Sequence, residues 1–450
     1  MWISRNDKKS SFINILNSLK GQVLIVRGAR QVGKTSFVLN ILDGLKEYPQ
    51  VSINCLYATS RKILGRNYLG RDFLGASPDG TDLLKNLEQL FSQTPNNHKP
   101  VLVFIDEVDR HPKILEAIQL LAEFSPDIKF ILTGSNLENI TVKNAATGRK
   151  HFFDLYPISF LDFLNASGSE QEKAYLHSLT FGGNQQTDFF HNKLMELVKT
   201  YVRLGGMPTI IAAYLEERLK EIPEIVKDLT FSIEENVKAV LGEKSKLYEY
   251  EDVLRKLAIL SLNTLKYTNL QVQHAGQAEA KRLVNKTVGA RVAHKIRLLR
   301  TERDLSKYIL FDSGIANYLL NGSDLLNYRI HPEHLAIMLE TFVGNEIISQ
   351  LVTRDDLFYW KSGNRAGLEF VVRSPKFSGI DVKSSTGKNF SLMSFAILET
   401  QADLLIKVGA TKMFYHSDYQ ASLPNDPRKR QISFLQIPHY LVCRLIEFLQ

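Results

Sequence analysis

The sequence has 450 residues, of which 44% are hydrophobic and 23% are charged, and its formal net charge is +8. This composition is typical of a soluble globular protein of two or three domains, and no apolar segment approaches the length of a membrane-spanning helix. The polar, basic N-terminus argues against secretion, and Cys55 and Cys443 lie far apart in apolar runs. We therefore expect a cytoplasmic protein whose cysteines form neither a disulfide bond nor a metal site.

A glycine-rich motif follows the first predicted strand. Residues 28–35 match the pattern G-x-x-x-x-G-K-[ST] and lie between an apolar run at 22–27 and a helical pattern at 36–45. Lys34 is expected to contact the β- and γ-phosphates of a nucleoside triphosphate, and the Thr35 hydroxyl to ligate Mg²⁺. Backbone N–H groups of the loop and the helix N-terminus would surround the phosphates. The predicted nucleotide-binding residues are Gly28, Ala29, Arg30, Gln31, Val32, Gly33, Lys34, Thr35 and Ser36.

Two carboxylates follow a second apolar run. Residues 101–105 are all apolar, as in a buried strand of a parallel sheet, and Asp106 and Glu107 come directly after them. Ligands of such sheets bind beyond the carboxyl ends of the strands, so Asp106 is predicted to bind Mg²⁺ and Glu107 to orient the attacking water. The alternative interpretation is a strand that ends in a solvated acidic turn.

A third apolar run, 130–133, is followed by Gly134, Ser135 and Asn136. Ser135 is a candidate for sensing the γ-phosphate, because the carboxyl ends of parallel strands lie at one edge of the sheet. Glycine, serine and asparagine also follow strands simply because they form turns, so this assignment has a structural alternative.

The order of apolar runs and helical patterns predicts an α/β protein. Strands are expected at 22–27, 51–57, 101–105, 128–133 and 151–155 with helices between them, which is typical of an open parallel sheet. We predict a P-loop domain over 1–165, a helical and winged-helix-like region over 166–325, and a further α/β domain over 326–450.

The positive charge is concentrated in the middle region. The segment 281–307 has nine basic residues against Glu302 and Asp304, and it follows a pattern at 250–305 that is compatible with a helix-turn-helix. DNA is the predicted partner, although a solvated helix face or an ordinary helical hairpin would have a similar pattern. The nine residues are Lys281, Arg282, Lys286, Arg291, Lys295, Arg297, Arg300, Arg303 and Lys307.

A second group of charged residues lies in the last third of the chain. Glu340 falls on a helix predicted at 335–351, Glu369 on the second of three strands predicted at 357–361, 367–373 and 379–384, and Asp381 and Lys383 on the third strand. Residues two apart on a strand share a face, so Asp381 and Lys383 project together. Carboxylates beside a lysine can bind Mg²⁺ and activate water. The alternative is an exposed strand face with alternating charges. Beyond it a helix is predicted over 391–407 and a strand over 411–415.

Several motifs together resemble a widespread prokaryotic family of AAA-type ATPases with a C-terminal domain of unknown function. The resemblance covers nearly the whole chain. It is carried by residues 27–35, Ile105-Asp106-Glu107, Thr133-Gly134-Ser135, Gly148-Arg149, 157–160, 205–208 and 308–314.

That resemblance implies ATP as the nucleotide and, in a homo-oligomer, an arginine that completes charge neutralisation in a neighbouring subunit. Arg149 is the candidate for that role or for a subunit contact, and the alternative is a surface arginine in a polar loop. It also implies that the C-terminal part is similar to PD-(D/E)XK nucleases, with Glu340 as the helix acid, Glu369 and Asp381 as metal ligands and Lys383 as the signature lysine. The family usually has aspartate where this chain has Glu369, and glutamate where it has Asp381. Exchanging the side-chain lengths at both ligands puts cleavage in question, because catalytic geometry tolerates only small displacements.

Three functions are compatible with these features. One is an ATP-driven enzyme that binds and cleaves DNA with Mg²⁺; another is an ATPase that binds DNA without cutting it. The third is a regulatory ATP switch in which the nuclease-like domain only docks partners. No membrane partner is expected in any of them.

Overall fold

The computed structural model describes most of the chain and divides it into two compact units. One unit comprises residues 5–156 and the other residues 1–4 with 157–450. Ser135, Gly148 and Arg149 lie outside the described residues, and the three-domain division remains a prediction. The described residues are 3–63, 65–77, 79–92, 100–111, 114–134, 150–180, 187–241, 247–261, 263–270, 277–301, 303–327, 329–363, 366–383, 389–424 and 426–450.

The first unit alternates strands and helices. Its strands are β1 (Val23–Arg27), β2 (Gln50–Asn54), β3 (Arg61–Ile63), β4 (Arg66–Gly70), β5 (Val101–Asp106), β6 (Ile128–Thr133) and β7 (Lys150–Asp154). Its helices are α1 (Asn6–Ser18), α2 (Lys34–Gly44), α3 (Thr81–Phe91) and α4 (Ile114–Phe124), with 3₁₀ turns at Arg71–Leu74 and Val108–Arg110.

The seven strands of this unit form one sheet in the order β3-β4-β2-β5-β6-β1-β7. Every neighbouring pair is parallel except β3 and β4, which form a short antiparallel hairpin that the sequence did not indicate. The four residues 23–26 of β1 are fully buried, as the continuous apolar run predicts for a strand covered on both faces. The predicted parallel α/β sheet is thus confirmed, and β1, β5 and β6 end at the same edge.

The second unit contains many helices, most of them in its first half. They are α5 (Phe160–Ser167), α6 (Glu170–Ser178), α7 (Asp188–Leu204), α8 (Pro208–Leu215), α9 (Ile222–Leu241), α10 (Leu247–Ile259), α11 (Gln277–Gly289), α12 (Ser313–Asn321), α13 (Pro332–Gln350), α14 (Phe390–Leu398) and α15 (Leu445–Leu449). Short 3₁₀ turns lie at Leu219–Glu221, Tyr267–Leu270, Arg354–Asp356 and His439–Arg444. Across the described part of the chain, none of the helices combines the length and apolarity that a bilayer span requires.

A mixed eight-stranded sheet forms the rest of the second unit, in the order β14-β15-β13-β12-β11-β10-β8-β9. Its strands are β8 (Ala293–Leu298), β9 (Ser306–Leu310), β10 (Leu357–Ser362), β11 (Ala366–Val372), β12 (Ser378–Val382), β13 (Leu404–Gly409), β14 (Phe414–Ser422) and β15 (Lys429–Pro438). The hairpin β8–β9 joins this sheet through a parallel pairing of β8 with β10. The basic segment therefore covers the end of α11 and this hairpin.

The helix predicted over 391–407 is wrong beyond Leu398. The apolar run Leu404–Gly409 is a strand, because it pairs in parallel with β12 on one side and with β15 on the other. A strand buried between two neighbours reads as a short apolar run, which periodicity alone does not separate from a helix. The strand predicted at 411–415 begins at Phe414 and extends to Ser422.

Candidate functional site

The glycine-rich loop connects β1 to α2, and its backbone has a close contact and positive φ angles that favour glycine. A Cβ atom on Gly28 would lie 2.3 Å from the carbonyl oxygen of Leu155, so only glycine fits there. Gln31 and Gly33 have positive φ angles of 65° and 88°. Gly33 precedes the first residue of α2 and offers no capping side chain, which leaves the first-turn N–H groups of the helix available to an anion.

Lys34 folds back over this loop. Its Nζ atom donates hydrogen bonds to the carbonyl oxygens of Gly28 at 3.1 Å and Ala29 at 2.9 Å, and the side chain is buried. Burial lowers the pKa of Lys34 to about 8, although the charges of Glu107 and Asp106 oppose this shift. A phosphate group in the loop would favour the charged ammonium group and would compete with the carbonyl groups for it.

Asp106 ends β5 at the centre of a hydrogen-bond cluster. Its carboxylate accepts bonds from the Thr35 hydroxyl at 3.0 and 3.1 Å and from the Asn54 amide at 3.2 Å. The hydroxyl of Thr133, the last residue of β6, donates to the same carboxylate. Burial raises the pKa of Asp106, and the bonds from Thr133 and Thr35 oppose that effect. The structure thus joins the predicted Mg²⁺ ligands Thr35 and Asp106 directly, and their oxygen atoms suit this ion.

Glu107 lies beside Asp106 in an unusual backbone conformation. Its φ and ψ angles are 55° and 38°, in the left-handed region, and its N–H donates to the Asp106 carboxylate at 3.1 Å. Burial and the neighbouring charge of Asp106 raise the pKa of Glu107. A non-glycine residue in this region is uncommon and costs conformational energy, and such residues cluster at functional sites.

Sequence reasoning assigned no role to three residues that shape this site. Asn54 ends β2 next to β5, and Thr133 ends β6; a polar residue at the end of a buried strand is the signal that would have found both. The third is Arg5, which precedes α1 and is 6% exposed. Its guanidinium group donates to the carbonyl oxygens of Val32 at 2.8 Å and Tyr156 at 2.7 Å. No motif around Arg5 predicted this contact with the loop.

The second predicted group also comes together. The Nζ atom of Lys383 lies 2.8 Å from Asp381 Oδ1, and the N–H of Val382 donates to the Glu369 carboxylate at 3.0 Å. Burial and the charge of Glu369 raise the pKa of Asp381 to about 7 and that of Glu340 to about 8. The carboxyl groups of α13, β11 and β12 therefore interact inside one cluster.

The charge of Lys307 on β9 opposes the pKa shift of Glu340, which adds a second lysine to this cluster. Nζ of Lys307 lies 5.3 Å from the ring centroid of Tyr359. Among the described residues, however, no group of three or more histidine, cysteine, aspartate or glutamate side chains is arranged to hold a metal ion. The site thus contains the interacting carboxyl groups of Asp381 and Glu369, with Lys383 and Glu340 nearby. These groups do not form a complete metal coordination site among the described residues.

Acidic partners compensate much of the basic segment. Arg291 is only 6% exposed and has a φ angle of 60°, so it is not part of a solvated face. The ion pairs are Arg282–Glu279 at 2.7 Å, Lys295–Asp304 at 2.5 Å, Arg297–Asp355 at 2.9 Å and Arg300–Glu399 at 3.0 Å. The segment is therefore less positive at its surface than its composition indicates.

Comparison with known proteins finds a family model that matches the first part of the chain. Residues 20–164 match the AAA_14 family model, whose description is "AAA domain". An uncharacterized protein of Haemophilus influenzae is 24% identical over 204 residues, which cover 44% of this chain and 42% of that relative. The chain thus matches less than half the length of this curated relative.

Several solved structures share a partial likeness. The Pif1 helicase of Candida albicans is 15% identical, with 44% of this chain and 48% of that chain covered and a TM-score of 0.25. The RuvB Holliday junction branch migration motor of Thermotoga maritima is 13% identical, with coverages of 68% and 92% and a TM-score of 0.29. The Hsp104–ADP complex of S. cerevisiae is 15% identical, with coverages of 64% and 38% and a TM-score of 0.29. Such low scores carry no argument about function.

The family match and the geometry of the loop agree. A glycine-rich loop follows the buried strand β1, its lysine and threonine begin α2, and an aspartate at the end of β5 accepts a hydrogen bond from the threonine. Residues 20–164 therefore form an AAA domain with the P-loop ATPase fold.

Proposed function

We propose that this protein binds ATP together with Mg²⁺ and hydrolyses it at the site formed by the loop 28–36, Asp106 and Glu107. The observation that carries the proposal is the direct contact between the Thr35 hydroxyl and the Asp106 carboxylate at 3.0 Å. This contact brings together the helix that follows the phosphate loop and the strand that ends in the acidic pair, as phosphoryl transfer requires.

Each side chain has a role that follows from its position. Lys34 would exchange its bonds to the loop carbonyls for the β- and γ-phosphates, which hold its charge more strongly. Thr35 and Asp106 would hold Mg²⁺, which neutralises charge on the phosphate oxygens when bound. Glu107, whose pKa is raised by burial, would accept a hydrogen bond from the attacking water and orient it.

The test is steady-state ATP turnover of Lys34→Ala beside Glu107→Gln. We expect Lys34→Ala to abolish turnover, and Glu107→Gln to retain ATP binding while hydrolysis falls by two orders of magnitude or more. Lys199→Ala is the matched control, because Lys199 is exposed and pairs with the exposed Glu196. Turnover of Lys34→Ala at the wild-type rate would refute the proposed site.

The second part of the proposal is that the protein binds DNA and uses the cluster of Glu340, Glu369, Asp381 and Lys383 for Mg²⁺-dependent phosphodiester cleavage. Support comes from the contact of Lys383 with Asp381 and from the raised pKa values of Asp381 and Glu340. Carboxyl groups whose pKa values are raised by one another gain from a cation placed between them. Lys383 would orient the attacking water or stabilise the charge of the phosphate.

Cleavage is tested with labelled single- and double-stranded DNA in Mg²⁺ or Mn²⁺, with and without ATP. Wild type is compared with Asp381→Ala and Lys34→Ala. Cutting that is lost in Asp381→Ala supports the nuclease assignment, and ATP dependence that is lost in Lys34→Ala supports communication between the two sites. If wild type turns over ATP but cuts nothing, the favoured function is a regulatory ATP switch in which the second unit docks partners.

A further inference from the structure

A positively charged notch lies at one end of the strands β8, β10 and β11. It has a volume of about 450 Å³, and we call it the arginine notch. Its charged side chains are all arginines, whereas those of the acidic cluster are chiefly carboxylates. The residues that line it are Arg297, Leu298, Arg300, Thr301, Phe358 and Arg373.

The sheet itself positions the notch. Arg297 on β8 is the register partner of Phe358 on β10, so the two residues lie side by side. Arg373 follows β11, and its N–H donates to the carbonyl oxygen of Asp356 at 2.9 Å, which fixes the backbone next to the start of β10. On the other side, the N–H of Leu299 donates to the carbonyl oxygen of Tyr359 at 2.9 Å. Rigid strands on both sides therefore set the spacing of the cations.

Arg300 reaches the notch through an unusual turn. Its φ angle is 57°, in the region that residues other than glycine rarely adopt. The neighbouring Leu299 is 7% exposed and belongs to the apolar core beneath the sheet. Burial of Leu299 holds the turn in place, and the Arg300 side chain consequently projects from the surface, where it is 54% exposed.

The charges of the notch are only partly compensated. Arg297 pairs with Asp355 at 2.9 Å, but both side chains are largely exposed, at 55% and 83%, so the pair is weak and open to exchange. Arg300 pairs with Glu399 at 3.0 Å. The guanidinium group of Arg373 lies 4.4 Å from the ring centroid of Phe358, and the described residues give it no carboxylate partner. Net positive charge remains at the notch.

Three guanidinium groups around one opening suit phosphate. The planar arginine fork forms paired hydrogen bonds with phosphate oxygens, which a lysine ammonium group does not. An apolar ligand is excluded as the main occupant, because Phe358 is only 6% exposed and Arg373 already covers its ring. Lys295 lies two residues before Arg297 on β8 and therefore shares its face of the strand, where it pairs with Asp304 at 2.5 Å.

We propose that the arginine notch binds a backbone phosphate of a nucleic-acid strand, in a site that places the strand on the β8–β9 hairpin. This rests on the proposed DNA binding and gives it a location. A strand is favoured over a small phosphate compound, because Arg297 and Arg300 are more than half exposed and the notch is an open surface feature. Contacts of this kind position a strand without reading its sequence.

The experiment measures fluorescence anisotropy of labelled single- and double-stranded 20-nucleotide DNA from 50 to 200 mM salt. The double variant Arg300→Ala/Arg373→Ala is compared with wild type and with Arg218→Ala, an exposed arginine of the same unit that pairs with glutamates. We expect the double variant to bind at least tenfold more weakly. The slope of log K against log salt should become shallower by about 0.7 to 0.9, because one phosphate contact is lost.

Folding of the second unit is checked independently by urea denaturation, in which the double variant should show the same cooperative transitions as wild type. If that variant fails to fold, the single variants Arg300→Gln and Arg373→Gln are measured, and each should weaken binding and make the slope shallower by up to about 0.9. Wild-type DNA binding that all notch variants retain would overturn this proposal and leave DNA binding intact. If wild type binds no DNA, both this proposal and the proposed DNA function are refuted.

Discussion

Asp106 illustrates how single residues define the nucleotide site. A buried carboxylate must have its lone pairs satisfied, and here the hydroxyl and amide groups of Thr35, Thr133 and Asn54 do so. The side chain of Asn54 is itself fixed, since its amide oxygen Oδ1 accepts a hydrogen bond from the N–H of Leu56 at 2.9 Å. Its amide can therefore donate only in the direction of Asp106, and it fixes the orientation of the carboxylate.

Replacement of Asn54 tests this orientation. We expect Asn54→Ala to leave the fold intact and to lower Mg²⁺ affinity or ATP turnover about 10- to 100-fold, as is typical when a residue that orients a metal ligand is removed. ATP turnover is measured against Mg²⁺ concentration. Asn67→Ala is the control, because Asn67 is an exposed asparagine on the adjacent strand β4. Equal Mg²⁺ dependence of Asn54→Ala and the control would contradict the role of Asn54.

Two glycine motifs join separate elements in the second unit. The end of α7 and the start of α12 meet so closely that a Cβ atom on Gly314 would lie 2.0 Å from the carbonyl oxygen of Leu204. Asp312 caps α12 by accepting the N–H of Ile315 at 2.9 Å, and it accepts the N–H of Gly206 at 2.7 Å. The motifs at 205–208 and 308–314 are thus one structural contact between distant segments.

Gly314→Ala is expected to lower the free energy of unfolding by about 3 kcal/mol or more. The added methyl group meets backbone, which cannot move aside as a flexible side chain can. Gly367→Ala is the matched control, since its nearest neighbour would lie at an ordinary 3.4 Å, and its effect should stay within about 1 kcal/mol. Chemical denaturation of both variants measures the difference. Similar midpoints for the two would show that α7 and α12 separate readily.

The elements differ in how well the sequence predicts them. The strands β1, β5 and β6 were predictable because burial on both faces requires continuous apolar residues. The hairpin β8–β9 was not predicted: Lys295 and Arg297 alternate with apolar residues as in a half-buried strand, but the charge of the segment favoured a nucleic-acid-binding helix. The pairing of β8 with β10 joins residues distant in sequence, and no local pattern indicates that partner.

At the scale of the whole molecule, the acidic cluster of the second unit combines local sequence spacing with long-range strand pairing. Glu340, Asp381 and Asp312 of the second unit all have raised pKa values, chiefly because of burial. Sequence spacing predicted that Asp381 and Lys383 share a face, and the structure joins them. Sequence spacing did not indicate Lys307. This residue on β9 lies near the cluster because β8 pairs with the distant strand β10. Local spacing finds the members of one strand, and tertiary pairing adds the others.

The raised pKa of Glu340 predicts a pH dependence of stability. The pKa is about 8 in the folded protein and 4.5 for an ordinary glutamate, so between these values the folded state holds a proton that the unfolded state has released. The contribution of Glu340 to the free energy of unfolding is therefore fully present below about pH 4.5 and is lost as the pH rises towards 8. The Asp381 carboxyl group, with a pKa of about 7, acts in the same direction.

Glu340→Gln should remove part of this dependence, because a glutamine stays neutral throughout the range. We expect its free energy of unfolding, relative to wild type, to increase from pH 5 to pH 8. Urea denaturation at intervals of one pH unit measures the trend. Glu333→Gln, an exposed position on the same helix α13, should follow wild type at every pH. If the difference in free energy of unfolding between Glu340→Gln and wild type stays constant with pH, Glu340 is ionised in the folded protein over this range. The carboxylates of the cluster would then repel one another too weakly for a bound cation to be favoured by the relief of that repulsion.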